Sequence, residues 1–390
     1  MNLTIFQMAD FFYKKFGMGG DIRAYFAPGR VNLIGEHIDY NGGHVFPCAL
    51  TVGNHVIIRK RTDRKIRFYS YNYKRGGIME SSLDNLKFSK KDGWINYPKG
   101  VIWSFYKRGM ILDCGFDAFV FGNIPGSGLS SSAAMEVSFA TAIQDLYHFS
   151  ISPIEIAKLC QFSENHFNGM NCGIMDQFAS AMGKKDNALF LDCKTLDFQY
   201  VPMDLKGVSI IVTNSGKSHS LSHSHYNERR EECERALSDL KKVVDISCLC
   251  QLSVEEFERY KIYIRDEISR RRAKHAVYEE RRTKDAIKAL KSNDIDELGR
   301  LLNESGDSLR YEYDATCYEI DVLVDEQRSQ KGVYGSRETG GGWGGNTISI
   351  VQNQFVDSFI QNVGKKYFQK TNLKPNFTIL NVGDGARRLA

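Results

Sequence analysis

The chain has 390 residues, of which 42% are apolar and 25% charged, with a formal net charge of +5. These are the proportions of an ordinary globular protein long enough for two cores, and they exclude collagen-like, disordered and strongly polyanionic or polycationic classes. No apolar run approaches the roughly 18 residues that a membrane-spanning helix needs.

The first element in chain order is a helix over 4–16 with one apolar face. Asp10, Lys14 and Lys15 break any signal-peptide-like apolar core there, which points to the cytoplasm. Strand-like runs follow at 24–26, 45–50, 55–59 and 66–71, separated by turns rich in Gly, Asn and Asp. Between the first two, residues 29–43 read GRVNLIGEHIDYNGG. Val31, Leu33 and Ile34 alternate like a short strand that delivers Glu36, His37 and Asp39 to a polar pocket. Fixed donors and acceptors of this kind suit a hydroxyl-rich small molecule. A charged surface turn is the competing reading.

A helix over 94–107 and a strand over 116–121 lead into PGSGLSSSAA at residues 125–134, followed by a helix over 131–147. Glycine N–H groups, serine hydroxyls and a helix start together make an anion cradle fit for phosphates. The loop is no Walker motif, because the GK[ST] ending is missing, and no dinucleotide fingerprint, because Ser131 holds the third glycine position. A plain turn stays open as the alternative. The next helix, 153–167, carries Glu164, and CGIMDQ at 172–177 sets Asp176 before a helix over 177–182. Locally, an N-cap explains that aspartate as well as chemistry does.

Val208 to Thr213 reads as a strand buried on both faces, and a second domain begins just before it, near Leu205. Helices dominate 227–302 and recur at 317–327; strands at 347–351 and 377–382 bracket a helix over 355–368. This alternation without a regular parallel repeat argues for α+β. Gly340 to Gly345, interrupted only by Trp343, implies a place where side chains would obstruct a ligand or its covering loop. Segment 265–288 mixes Arg and Lys with Glu and Asp at helical spacing, so a solvated helix face is expected and no nucleic-acid partner. His219, His223 and His225 have no carboxylate or cysteine in register, which favours a polar loop over a metal site. Nine scattered cysteines read as free thiols, with Cys248 and Cys250 an isolated C-x-C.

The runs at 29–43, 125–134 and 339–345 resemble, in order, the three motifs of galactokinases in the GHMP family of small-molecule kinases. The resemblance implies an α+β, two-domain GHMP kinase-like fold: an N-terminal mixed-sheet domain (1–204), a C-terminal ferredoxin-like domain (205–390) and an active site in the cleft between. It implies ATP-dependent phosphorylation of the galactose C1 hydroxyl, giving α-D-galactose 1-phosphate and ADP. Asp176 then matches the catalytic base and Arg30 the arginine beside it. Glu36, His37, Asp39, Gly173 and Tyr226 match the sugar contacts. Gly126, Ser127, Gly128, Leu129, Ser130, Ser131 and Ser132 match the phosphate loop, and Ser132 and Glu164 the Mg2+ ligands. A monomer binding galactose and ATP, without nucleic acid or membrane, is expected. Two positions depart from the pattern: Ile38 stands where relatives usually carry threonine, and Asn346 where many carry cysteine. The alternatives are a kinase for N-acetylgalactosamine or another sugar, and a non-catalytic galactose- and ATP-binding regulator.

Overall fold

In the computed structural model the described residues are 3–125, 128–217 and 222–390, without the side chains of Ser222 and His223. The expectations for Gly126, Ser127, His219 and the His223 side chain therefore lie outside the described residues. Helix α1 (Ile5–Phe16) starts on a capping box between Thr4 and Gln7 and buries Met8, Phe12 and Phe16. Strands β1 (Arg23–Asn32), β2 (His44–Val45), β3 (Pro47–Lys60), β4 (Lys65–Ser70) and β5 (Met79–Ser82) follow, then α2 (Asn96–Lys107) and β6 (Phe116–Gly122).

Three helices come next: α3 (Ser131–Leu146), α4 (Pro153–Ser163) and α5 (Met175–Met182). With α2 they cover one face of the sheet, where Val56, Phe68 and Phe116 meet Phe105, Phe139 and Phe178 in a single apolar cluster. The hairpin of β7 (Asn187–Asp192) and β8 (Phe198–Pro202) joins β2 in a small sheet.

The chain then runs through β9 (Val208–Asn214), α6 (Ser222–Leu240), α7 (Val254–Tyr260), α8 (Glu267–Lys291), α9 (Ile295–Ser308) and α10 (Tyr318–Arg328). It closes with β10 (Val333–Thr339), β11 (Asn346–Gln352), α11 (Val356–Thr371), β12 (Asn376–Ile379) and β13 (Arg387–Arg388). The six-stranded sheet has the order β13-β1-β3-β6-β4-β5, and it is mixed because β4 and β6 run parallel. The four-stranded sheet has the order β10-β11-β9-β12 and is antiparallel throughout. With the helices between β9 and β10 counted as one crossover, that is a βαββαβ ferredoxin-like arrangement. No helix among the described residues is long and apolar enough to cross a membrane.

Two differences from the sequence expectation shape the site. The strand expected over 24–26 continues to Asn32, with a register shift between Pro28 and Arg30. Gly29 allows this: a Cβ there would lie 2.5 Å from the Leu129 carbonyl oxygen, so only glycine lets β1 pass beneath the serine loop. The helix expected to run to 167 stops at Ser163 and widens into a π turn, Glu164–Asn168. Such widenings re-aim side chains, here that of Glu164.

Candidate active site

Arg30 leaves β1 just past the register shift and reaches Asp176 in the first turn of α5. Its Nε donates to Asp176 Oδ1 at 2.8 Å and its Nη2 to Oδ2 at 2.9 Å, the bidentate geometry of a strong charge-assisted pair. Asp176 is thus not the N-cap considered from local sequence; Ile174 holds that position. Ser130, in a left-handed backbone conformation at φ 58°, donates a third bond to Asp176. The Arg30 Nη1 group also donates to the Gly128 carbonyl at 3.3 Å, so the serine loop is tied to the same pair.

Around this pair lies a cavity of about 240 Å3 whose lining joins all three motifs: Arg30, His37 and Asp39; Gly128 and Ser130 to Ser132; Gly340 to Gly342. Glu164, Gly173, Asp176 and Tyr226, also expected from sequence, line it too. Asp39 accepts the Tyr40 backbone N–H at 3.0 Å, and Gly173 presses against it, since a Cβ there would lie 2.0 Å from Asp39 Oδ2. Burial first, and the neighbouring Asp176 second, push the Asp39 carboxyl up to about 6. His37 stands with its Nδ1 2.8 Å from the Tyr40 hydroxyl, while its buried Nε2 has no partner. Burial pushes the imidazole down to about 3, so it is neutral, and its ring lies 5.3 Å from that of Tyr226.

Two expected residues are not brought to the cavity wall. Glu36 is fully buried and turned toward Arg337 of β10, 2.5 Å away, with the Gly340 N–H also donating to it at 3.3 Å. Leu129 packs its side chain among Val31, Leu33 and Ile34. The two departures from the family pattern also lie off the wall. Ile38 is buried in the main apolar cluster, and Asn346 accepts from the Asn214 amide at 3.1 Å within the second sheet.

At the other end of the cavity, Glu164 accepts from the Gln177 amide at 2.9 Å and faces Glu136 of α3. Both carboxyls are buried, and burial drives both upward, Glu136 the further of the two. Such a pair cannot carry two charges without a cation. Among the described residues no group of three His, Cys, Asp or Glu forms a metal cluster of its own. A second cavity of about 530 Å3 adjoins the first at Ser131, walled by Trp94, Tyr73, Met79 and Met135 with Asn54 and Asn72. Sequence reasoning missed this second cavity, and it missed Tyr97, Glu136 and Gln177. Only Tyr73, shortly before Gly76, and Trp94, directly after Gly93, could have hinted at it.

Comparison with known proteins agrees with this geometry. The "GHMP kinases N terminal domain" description matches residues 96–184 and "GHMP kinases C terminal" residues 286–370. The "Galactokinase galactose-binding signature" matches residues 10–60. A galactokinase of Fusobacterium nucleatum is 52% identical over 380 residues, covering 97% of this chain and 98% of its own. One of Bacillus subtilis is 48% identical over 384 residues, with 98% of each chain covered. The crystal structure of Lactococcus lactis galactokinase complexed with galactose superposes with a TM-score of 0.96 at 39% identity, over 99% of this chain and 100% of that one. The mevalonate kinase of Methanococcus jannaschii shares the fold alone, at 16% identity and a TM-score of 0.64. Convergence of the three motifs on one cavity and half-identity to galactokinases over the full alignment make this chain a member of the galactokinase family of GHMP kinases.

Proposed function

We propose that this chain transfers the γ-phosphoryl group of ATP to the C1 hydroxyl of galactose, giving α-D-galactose 1-phosphate and ADP. The observation that carries the reading is the Arg30–Asp176 pair, set between the Asp39–His37 wall and the Ser130–Ser132 wall of one cavity. In this reading the sugar lies against Asp39, His37 and Tyr226. Asp39 accepts from the axial C4 hydroxyl, and the equatorial epimer would leave that desolvated carboxylate unpaired. The free His37 Nε2 serves another hydroxyl. Glu36 acts from behind, by fixing the backbone of the loop rather than by touching the sugar.

Asp176 receives the C1 hydroxyl proton as the oxygen approaches phosphorus. Arg30 holds that carboxylate in place through two hydrogen bonds and stands beside the charge that develops on the transferring group. The transition state of such transfers is loose, so positioning by the pair contributes as much as base strength. The phosphates lie along Gly128 and Ser130 to Ser132 at the start of α3, and the base takes the second cavity between Trp94 and Met135. A serine hydroxyl and a carboxylate, Ser132 and Glu164, are the hard oxygen donors that Mg2+ accepts alongside phosphates, and the buried Glu136–Glu164 pair fits a nearby cation. Mg2+ held there would offset phosphate charge. The cavity is completed within one chain, which supports action as a monomer, and dependence on ATP fits the cytoplasm. We divide the chain at 204/205, just before β9 opens the second sheet at Val208.

The test is ADP release by the purified chain with MgATP across sugars. Galactose is expected to be turned over at least about tenfold faster than glucose, the scale on which one unpaired charged acceptor discriminates. Comparable rates on N-acetylgalactosamine would overturn the sugar assignment, and no release with any sugar would overturn the enzyme.

A further inference from the structure

A bound triphosphate brings several negative charges into a wall that is poor in cations. Among the described lining residues Arg30 is the only cationic side chain, set against Asp39, Glu164 and Asp176, and it is already engaged by Asp176. The loop has no lysine of the kind that Walker motifs use. Neutral donors must therefore do much of the work at the terminal phosphate. Ser131 and Ser132 are two of them.

Tyr97, in the first turn of α2, is a third that the sequence did not reveal. It lines the same cavity, with Glu164, Glu136 and Cys172 as its electrostatic neighbours. No hydrogen-bond partner for its hydroxyl exists among the described residues, although two carboxyls stand close by. A phenol among carboxyls that bonds to neither of them, and that opens into a cavity, is a donor kept for something that enters. Burial and the two carboxyls raise its pKa well above the ordinary phenol value, so the proton stays on the oxygen.

We propose that the Tyr97 hydroxyl donates a hydrogen bond to a non-bridging oxygen of the transferring γ-phosphoryl group, on the Glu164 side of the cavity. Charge spreads over those oxygens in a loose transition state, and a preorganised donor is worth most at that point. The inference rests on the galactose-phosphorylating reading above.

Tyr97→Phe removes one oxygen and leaves the ring in place. The full-length variant is compared with the parent for ADP release with MgATP and with the γ-thio analogue, whose sulfur is a poor acceptor. Galactose binding without nucleotide and the melting temperature are measured alongside. The expected result is a loss of about 10- to 100-fold in kcat/KM for ATP, the scale of a hydrogen bond to a charged group. The loss with the thio analogue should be clearly smaller, with sugar affinity and melting temperature unchanged. Turnover within twofold of the parent overturns the proposal. So does an equal loss with both nucleotides, or one accompanied by weaker galactose binding or a lower melting temperature. If the parent itself fails to phosphorylate galactose, the underlying reading fails instead.

Discussion

At the scale of single residues, the tightest constraint in the site is Gly173 against Asp39. Any side chain at 173 would begin 2.0 Å from Asp39 Oδ2, closer than atoms can approach. Because Asp39 is itself held by the Tyr40 N–H, it can yield only by breaking that bond. Gly173→Ala is therefore expected to raise KM for galactose by roughly 10- to 100-fold, about what loss of a charged hydrogen bond costs. KM for ATP should move little. Steady-state kinetics with each substrate varied in turn checks this, and a change in galactose KM below threefold would refute it. The matching glycine was legible in the sequence through the family resemblance, but its reason was not. Contact between residues 39 and 173 is a product of folding that no local pattern encodes. The same holds for Glu36: its neighbours in sequence place it with the sugar residues, whereas the fold buries it against Arg337, 301 positions away.

At the scale of elements, long and strongly periodic segments were readable: α1, α3, α10 and α11 lie within a few residues of expectation. Strand β10 was not. Its Ser336, Arg337, Glu338 and Thr339 are polar, yet all are buried, so a rule that reads charge as surface fails there. Arg337 explains part of this burial, because its guanidinium donates to the carbonyls of Leu33, Asn32 and Glu338 and thereby clamps the end of β1. Glu338 has no comparable satisfaction. One oxygen accepts the Gly344 N–H at 3.4 Å and the other has no partner. Burial, above all, raises its pKa well above the usual carboxyl range, so the folded protein keeps it protonated. Below the ordinary carboxyl value both folded and unfolded chains hold the proton. Above it only the unfolded chain ionises, so stability falls as pH rises toward the folded pKa. Glu338→Met, unbranched and of similar length, should be more stable than the parent by about 1–3 kcal/mol at pH 8. That advantage should shrink toward pH 4. Melting curves of both proteins from pH 4 to 8 test it, and a constant or reversed difference would show that Glu338 is satisfied after all.

At the scale of the whole molecule, the site depends on two sheets being held in register, and the chain does this twice. The clamp at Arg337 is one fastening. The second is topological: after β12 completes the second sheet, the chain returns to the first, and β13 pairs with β1 opposite Tyr25 and Phe26. Around that pairing, Ala386 N–H donates to Ser180 O, Gly385 N–H to Gly183 O and Leu389 N–H to Ala24 O, so one short segment binds both β1 and the end of α5. These are the two elements that present Arg30 and Asp176. Their 2.8 Å and 2.9 Å bonds therefore rely on a segment more than 200 residues downstream of Asp176, which a reading of helices and strands in chain order cannot foresee. Nothing in GDGARRLA marks it as a strand, since its two paired residues are both arginine. Removing residues 384–390 should free the outer edge of β1 and forfeit at least four backbone hydrogen bonds, for a loss of about 4 kcal/mol at roughly 1 kcal/mol each. The shortened chain is expected to melt several degrees lower and to self-associate through the bared edge. Because Arg30 and Asp176 lose their common support, kcat should fall by more than the melting shift explains, even at temperatures where the chain remains folded. Calorimetry, light scattering and turnover at 15 °C measure the three effects separately. A truncated chain with full turnover at that temperature would show that β13 stabilises the fold without aligning the catalytic pair.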